Sequence, residues 1–113
     1  MSDQKAQFFE IGELERQRVG HASAYFEFLR VPSMSAGVYV LAVNAADLQS
    51  PHQQDELYYV IRGKARLRAG SKDQSVETGS LIFVAAHAEH SFYDIEEELT
   101  VLVFFAPAET EGA

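Results

Sequence analysis

The chain has no cysteine among its 113 residues. This absence excludes disulfide bonds, thiolate metal sites, CxxC redox centres and a cysteine nucleophile, so any chemistry depends on oxygen and nitrogen groups. No apolar run approaches the roughly 18 residues that would span a bilayer. The first residues, MSDQKAQFFEIGELERQR, lack the basic start and long apolar core of a secretory signal. We therefore expect a cytoplasmic protein with no membrane partner.

Basic residues are also scarce, because 9 Lys and Arg stand against 17 Asp and Glu, for a formal net charge of −8. A field of this sign repels a phosphate backbone, so we expect no nucleic-acid partner. The remaining composition, 47% hydrophobic and 23% charged, is typical of one soluble domain. A domain of this length buries roughly two thirds of the surface of its unfolded chain, which is enough for one core.

Short apolar or alternating segments recur along the chain and are separated by turn residues. This pattern predicts an all-β sandwich or barrel rather than a helical fold. We divide the chain into an N-terminal arm at 1–20, one barrel domain at 21–107 and a flexible tail at 108–113. Strands are predicted at 24–30, 37–43, 56–62, 65–69, 79–84, 91–94 and 99–105.

Two segments of the sequence allow more than one structural interpretation. Residues 99–105 are almost wholly apolar, which is typical of a strand covered on both faces or of an interface strand. We expect Val101, Val103 and Phe105 to point outward from the barrel, and this favours a homodimer. Residues 11–18 form the only plausible helix, but they lack strong periodicity, so we treat them as a turn or part of the arm.

Three residues carry potential metal chemistry. His52 stands four residues before Glu56, and His90 follows the apolar segment 81–84. Imidazole nitrogen and carboxylate oxygen suit a moderately hard divalent ion. If a turn separates His52 from a strand that begins at Glu56, both side chains can point to one side of a sheet, and His90 can approach from the following hairpin. Each residue taken alone is more often an ordinary surface or core residue.

The spacing of these residues resembles that of the cupin superfamily, whose first motif is G(X)5HXH(X)3,4E(X)6G. Residues 50–63 reproduce the second histidine as His52, the glutamate as Glu56 and the six-residue step to Gly63. The second motif begins at Gly79 and places His90 at its histidine. The resemblance covers residues 37–107. It implies a single-domain antiparallel β-barrel of the jelly-roll type with one divalent ion, either Fe, Mn, Ni, Cu or Zn, held by His52, Glu56 and His90.

The sequence also departs from the cupin motifs. Ser50 stands at the first histidine, His87 lies in the turn of the second motif, and Asp94 occupies the final asparagine position. Three alternatives follow: a three-ligand centre, a centre completed by another residue such as Ser50, Gln54 or His87, or a barrel that has lost its metal. We favour retention of the metal, because the three ligands remain together in register.

The resemblance implies an enzyme that acts on a small molecule. Three protein ligands leave positions open for a substrate and dioxygen, so a non-haem iron-type dioxygenase is the leading prediction. The alternatives are a Lewis-acid isomerase or lyase using Mn, Ni or Zn, and a small-ligand-binding barrel without catalysis. Tyr58 shares a strand face with Glu56, so its hydroxyl is the predicted catalytic group. The predicted substrate-binding residues, for which core packing is the alternative, are Tyr58, Phe83, Phe92 and Phe104.

Overall fold

The structure is a computed structural model that describes residues 5–21, 23–47 and 49–110. Within those residues one helix precedes six antiparallel strands. They are α1 (Ile11–His21), β1 (Tyr25–Val31), β2 (Met34–Leu41), β3 (Asp55–Ala69), β4 (Lys72–Glu77), β5 (Leu81–Val84) and β6 (His90–Ala106).

The sheet has the order β1-β2-β6-β3-β4, and β5 pairs with the first part of β3. Its two central strands are long, with 15 residues in β3 and 17 in β6. The first part of β3 pairs with the end of β6, whereas the last part of β3 pairs with the start of β6. The register shifts between Val60 and Arg66, where both strands bend. The sheet therefore folds over on itself, which confirms the predicted antiparallel β-barrel of the jelly-roll type.

Gly63 lies at this bend with a positive φ of 112°. A side chain would be strained in that conformation, and an added Cβ would also collide with the backbone of Glu98 and Leu99 on β6. The glycine that ends the first motif is therefore needed for the close approach of β3 and β6.

Several strand boundaries differ from those predicted. The predicted strands 56–62 and 65–69 are one strand, β3, and the predicted strands 91–94 and 99–105 are one strand, β6. Strand β4 was not predicted, because only Val76 in it is buried and the rest is polar and exposed. It forms because the turn at Gly70 and Ser71 returns the chain alongside β3.

The inward face of β6 is the opposite of the predicted one. Val101, Val103 and Phe105 are 0%, 2% and 1% exposed and belong to the core. They face inward because Val103 and Phe105 pair in register with Tyr58 and Glu56 on the inner face of β3. Strand side chains alternate with a period of two, so an error of one residue reverses the whole face. The prediction that these three residues point outward is therefore wrong.

The outer face of the sheet carries an apolar patch instead. Phe83, Leu57 and Phe104 form one row across β5, β3 and β6, and the next row contains Leu81, Tyr59 and Leu102. Phe83 is 63% exposed and Phe104 is half-buried on this face, so the prediction that both line an internal cavity is wrong. The homodimer stays a prediction, and this patch, rather than Val101, Val103 and Phe105, is the surface suited to it.

The described residues 11–21 and 108–109, near the two chain ends, are more structured than predicted. Helix α1 forms within the predicted arm because Leu14, 3% exposed, packs beside β1 and β2, and Arg62 holds Glu15 at 2.6 and 2.9 Å. Ala108 and Glu109 are buried, so the predicted flexible tail is wrong for these residues, and 111–113 lie outside the described residues. No helix in the described part of the chain is long and apolar enough to cross a membrane.

Candidate metal centre

His52, Glu56 and His90 lie together inside the barrel. They are 5%, 2% and 7% exposed, and one donor atom of each lies within 4.8 Å of the others. The register places His90 opposite Ala69, at the other end of β3 from Glu56. A straight strand of 15 residues is roughly 50 Å long, so only the bend brings His90 Nε2 to 3.2 Å from Glu56 Oε1.

The Nδ1 atoms of His52 and His90 each lie beside a hydrogen-bond acceptor. His90 Nδ1 donates to the Ala88 carbonyl oxygen at 2.9 Å, and His52 Nδ1 lies 2.9 Å from Glu109 Oε2. Carbonyl and carboxylate oxygens only accept, so a neutral imidazole at either position carries its proton on Nδ1. Each Nε2 is then left with a free lone pair, as metal ligation requires.

The donor atoms fit a divalent ion. Both carboxylate oxygens of Glu56 and the Nε2 of His90 are buried and have no hydrogen-bond partner among the described residues. A buried carboxylate is costly unless positive charge compensates it. A metal cation would supply that charge, and so would a proton on His90 Nε2, 3.2 Å away. A cavity of about 10 Å³ lies beside Glu56, with room for about one water-sized particle. Its other lining residues are Tyr25, Tyr39, Gln49, Val103 and Phe105.

Protons compete with an ion at both histidines. The Glu109 carboxylate raises the pKa of His52, more than burial lowers it, and the charge of Glu56 adds to the increase. Burial lowers the pKa of His90, but the Glu56 carboxylate and the Ala88 carbonyl outweigh burial and raise it overall. Ligation needs both imidazoles neutral, so acidic pH should weaken metal binding.

A polar network that sequence reasoning missed surrounds the centre. Asp47 accepts hydrogen bonds from the Tyr39 hydroxyl at 2.7 Å, the Phe92 N–H at 2.8 Å and the Gln49 side-chain amide at 2.9 Å. The Oε1 of Gln49 lies 3.1 Å from His52 Nε2. Asp47 and Gln49 lie between β2 and β3 without regular structure, so no periodic pattern could identify them.

Glu109 was also missed, because it lies in the predicted tail. Its N–H donates to Ser35 Oγ at 2.9 Å, and its carbonyl accepts from the Arg30 guanidinium at 2.7 Å. These contacts anchor the backbone and leave the side chain, 3% exposed, beside His52. A carboxylate on the outer nitrogen of a ligand histidine orients the ring and increases its basicity.

The residues considered for completing the centre have other environments. The Ser50 and His87 side chains are exposed. His87 instead donates its backbone N–H to the His52 carbonyl at 2.7 Å, from a turn with φ of 70°. Gln54 is buried and donates its amide to Thr110 Oγ1 at 3.0 Å.

Tyr58 and Phe92 are buried inside the barrel, but neither is among the lining residues of the small cavity beside Glu56 or of a larger one beside His90, so their substrate-binding roles stay predictions. Tyr58 is fully buried, its hydroxyl lies 3.4 Å from Gln49 Oε1, and its ring centroid lies 5.0 Å from that of Phe92. Burial, with the nearby Glu56 charge, holds the pKa of Tyr58 well above its ordinary value. The hydroxyl therefore keeps its proton at neutral pH. Its catalytic role stays a prediction.

A larger cavity of about 470 Å³ opens beside His90. It reaches the centre through His90 and Gln49, and its size lies within the usual range for small-molecule sites. The remaining lining residues are mostly polar or charged: Asp47, Pro51, Arg68, Gly70, Glu89 and Ser91.

Comparison with known proteins identifies the family. The family described as the cupin domain matches residues 37–106, well over half of the chain. The chain belongs to the cupin family. An uncharacterized protein of Streptomyces coelicolor is 42% identical to this cupin over 102 residues, which are 90% of this chain and 97% of that protein.

Solved structures share the fold of this cupin. An RmlC-like cupin from Shewanella frigidimarina is 17% identical, with a TM-score of 0.68, over 74% of this chain and 75% of the other. The Fe(II)-bound protein HppE, solved with the alternative substrate (S)-1-HPP, is 22% identical, with a TM-score of 0.63, over 72% of this chain and 48% of HppE. At these identities the likeness establishes the fold.

Proposed function

We propose that this cupin is a metal-dependent enzyme that acts on a small polar molecule, with the chemistry of a non-haem iron dioxygenase. The observation that carries the proposal is the buried group of His52, Glu56 and His90, whose donor atoms converge. Two histidines and one carboxylate with open positions are typical of non-haem Fe(II) oxygenases. HppE, which shares the fold, is described as an Fe(II) protein with a bound substrate.

The chain's own residues would prepare the site. A bound ion would supply Lewis acidity and, as iron, reactivity towards dioxygen. Glu109 and the Ala88 carbonyl hold the two imidazole rings in orientation. The buried Tyr58 hydroxyl keeps its proton and lies within hydrogen-bond distance of Gln49, so it can orient the Gln49 amide beside a bound molecule.

The surroundings favour a small substrate. The interior cavity beside Glu56 has a volume of about 10 Å³, and its lining includes the apolar side chains of Val103 and Phe105. So small a volume holds little water, and low solvation strengthens the electrostatic interactions within it. A substrate would therefore approach through the larger cavity beside His90, whose charged lining includes Arg68 and Glu89.

Metal content tests this proposal. Untagged protein purified without chelator should hold close to one equivalent of metal, and His52→Ala or His90→Ala should hold little. His87→Ala is the matched control, because that histidine is exposed, and it should retain the metal. Chelation should lower the melting temperature of the parent and of the control, since an ion that binds only the folded state stabilises it.

The identity of the metal and its reactivity then distinguish the functions. Iron-loaded protein should bind nitric oxide, a dioxygen surrogate, and give the EPR signal of a half-integer-spin iron–nitrosyl. Mn, Ni or Zn without that reactivity would favour the Lewis-acid isomerase or lyase. A parent protein that stays metal-free after reconstitution would contradict the enzyme proposal and favour a ligand-binding barrel.

A further inference from the structure

We infer that the side-chain oxygen of Gln49 is a fourth donor to the metal ion, an inference that rests on the proposed function. The cupin motif has a histidine where this chain has Ser50, and the Ser50 side chain is exposed. The neighbouring Gln49 instead directs its amide into the site, 3.1 Å from His52 Nε2.

Asp47 determines which end of the amide faces the centre. Its carboxylate can only accept hydrogen bonds, and it receives the Nε2 of Gln49 at 2.9 Å. The Tyr39 hydroxyl and the Phe92 N–H hold the same carboxylate in place. A half-turn of the amide would set two oxygens against each other, so Oε1 faces His52. The Tyr58 hydroxyl lies between the two ends of the amide, 3.3 Å from Nε2 and 3.4 Å from Oε1.

When His52 is neutral with its proton on Nδ1, the contact between Gln49 and His52 joins two electron-pair donors. His52 Nδ1 faces the Glu109 carboxylate, so the Nε2 of the neutral ring carries a lone pair, and that lone pair faces Gln49 Oε1. Two such atoms repel unless positive charge lies near both. A metal ion bound by both would remove the repulsion, whereas a proton on Nε2 would make Gln49 only a hydrogen-bond acceptor.

Two pairs of donors have the spacing of neighbouring ligands on one ion. Two ligands at right angles on an ion, with bonds of about 2.1 Å, stand about 3.0 Å apart. The Gln49 to His52 distance is 3.1 Å, and the Glu56 to His90 distance is 3.2 Å. Gln49 and Glu56 also line the same cavity of about 10 Å³, whereas His52 and His90 are not among its lining residues.

A fourth donor would change what the centre can bind. An octahedral ion with four protein ligands keeps two open positions, enough for a bidentate small molecule or for one substrate atom and dioxygen. Gln49 also lines the larger cavity together with His90. A molecule entering from that cavity would therefore meet the ion alongside the Gln49 amide.

Cobalt(II) is the probe for the test, since its visible absorption reports the number and type of ligands. We would titrate the metal-free parent, Gln49→Ala and Gln53→Ala with Co(II), following absorption and the heat of binding. Gln53 is the matched control, because it is exposed in the same loop. We expect Gln49→Ala to change the spectrum and to weaken binding at least about tenfold, while Gln53→Ala matches the parent.

The outcomes separate this inference from the proposed function. A parent that binds no Co(II) would refute both. A parent that binds Co(II) with the same spectrum and affinity as Gln49→Ala would refute the fourth ligand alone and leave Gln49 as an acceptor for a protonated His52. If Gln49→Ala does not fold, the anomalous-scattering crystal structure of the Co(II)-loaded parent decides. It should place Gln49 Oε1 about 2.0 to 2.2 Å from the ion, and a distance beyond about 3 Å would overturn the inference.

Discussion

The contact between Glu109 and His52 leads to a quantitative prediction for Glu109→Gln. The two side chains are 3% and 5% exposed, and the carboxylate lies 2.9 Å from Nδ1, so solvent screens the contact little. Loss of the outer carboxylate of a ligand histidine typically weakens metal affinity 10- to 100-fold, or by about 1.4 to 2.7 kcal/mol. We expect a loss in this range at pH 8, where protons compete least.

The fold should survive this substitution. Ser35 and Arg30 bind the backbone of Glu109 rather than its side chain, so the C-terminal segment stays anchored. Glu97→Gln is the matched control, since it removes the same charge from an exposed position. Calorimetric titration of both variants and the parent with Zn²⁺ measures the effect. An affinity for Glu109→Gln within twofold of the parent would refute the reasoning.

Changing the pH tests the same contact in two ways. Glu109 raises the pKa of His52, so it favours the protonated ring as well as the bound ion. The difference in metal affinity between Glu109→Gln and the parent should therefore narrow as the pH falls from 8 to 6. In the metal-free protein, the contribution of this pair to the stability of the fold grows as the pH falls. The pair stabilises the fold below the ordinary histidine pKa of about 6.5, and this contribution is lost as the pH rises through the raised pKa of His52.

Two further predictions concern the fold and its surface. Gly63→Ala should lower the free energy of unfolding by more than about 1 kcal/mol, because an added Cβ meets the β6 backbone at a positive φ. Gly20→Ala is the control, because Gly20 lies on a helix and has nothing within 4 Å of the added carbon. This substitution should be neutral or stabilising. If urea denaturation shows the same loss of unfolding free energy for both variants, this explanation is wrong. The exposed patch around Phe83 predicts a parent dimer in sedimentation equilibrium and a monomer for Phe83→Glu. A parent that sediments as a monomer would contradict the homodimer.

Residue type and spacing along the chain were enough to predict the fold and to select the three candidate ligands. His52, Glu56 and Gly63 are close together in sequence. Covalent geometry and strand alternation therefore fix their relative positions in the structure. Tyr58 is on the same face as Glu56 for the same reason. Gly63 could be identified from its place in the motif, although its close contact with β6 could not.

The orientation of β6 could not be predicted from hydrophobicity. Alternation indicates that Val101 and Val103 share one face and Leu102 and Phe104 the other, but both faces are apolar. The inner face was decided by the register with β3, which sets Phe105 beside Glu56. The same register places Phe104 next to Leu57 on the outside, which is why the predicted cavity lining was wrong for Phe83 and Phe104.

The chain by itself determined which donor atoms are present and which of them share a strand face, since both follow from covalent connectivity. Tertiary structure decided which distant groups meet. The bend of β3 at Gly63 brings His90 to Glu56, and docking of the C-terminal segment brings Glu109 to His52. Asp47 and Gln49 are polar loop residues without periodicity, so only the packing of their loop against β6 and β3 reveals their role. Apart from the contact of Gln49 with Tyr58, these contacts join residues far apart in sequence, and their geometry exists only after the barrel has closed.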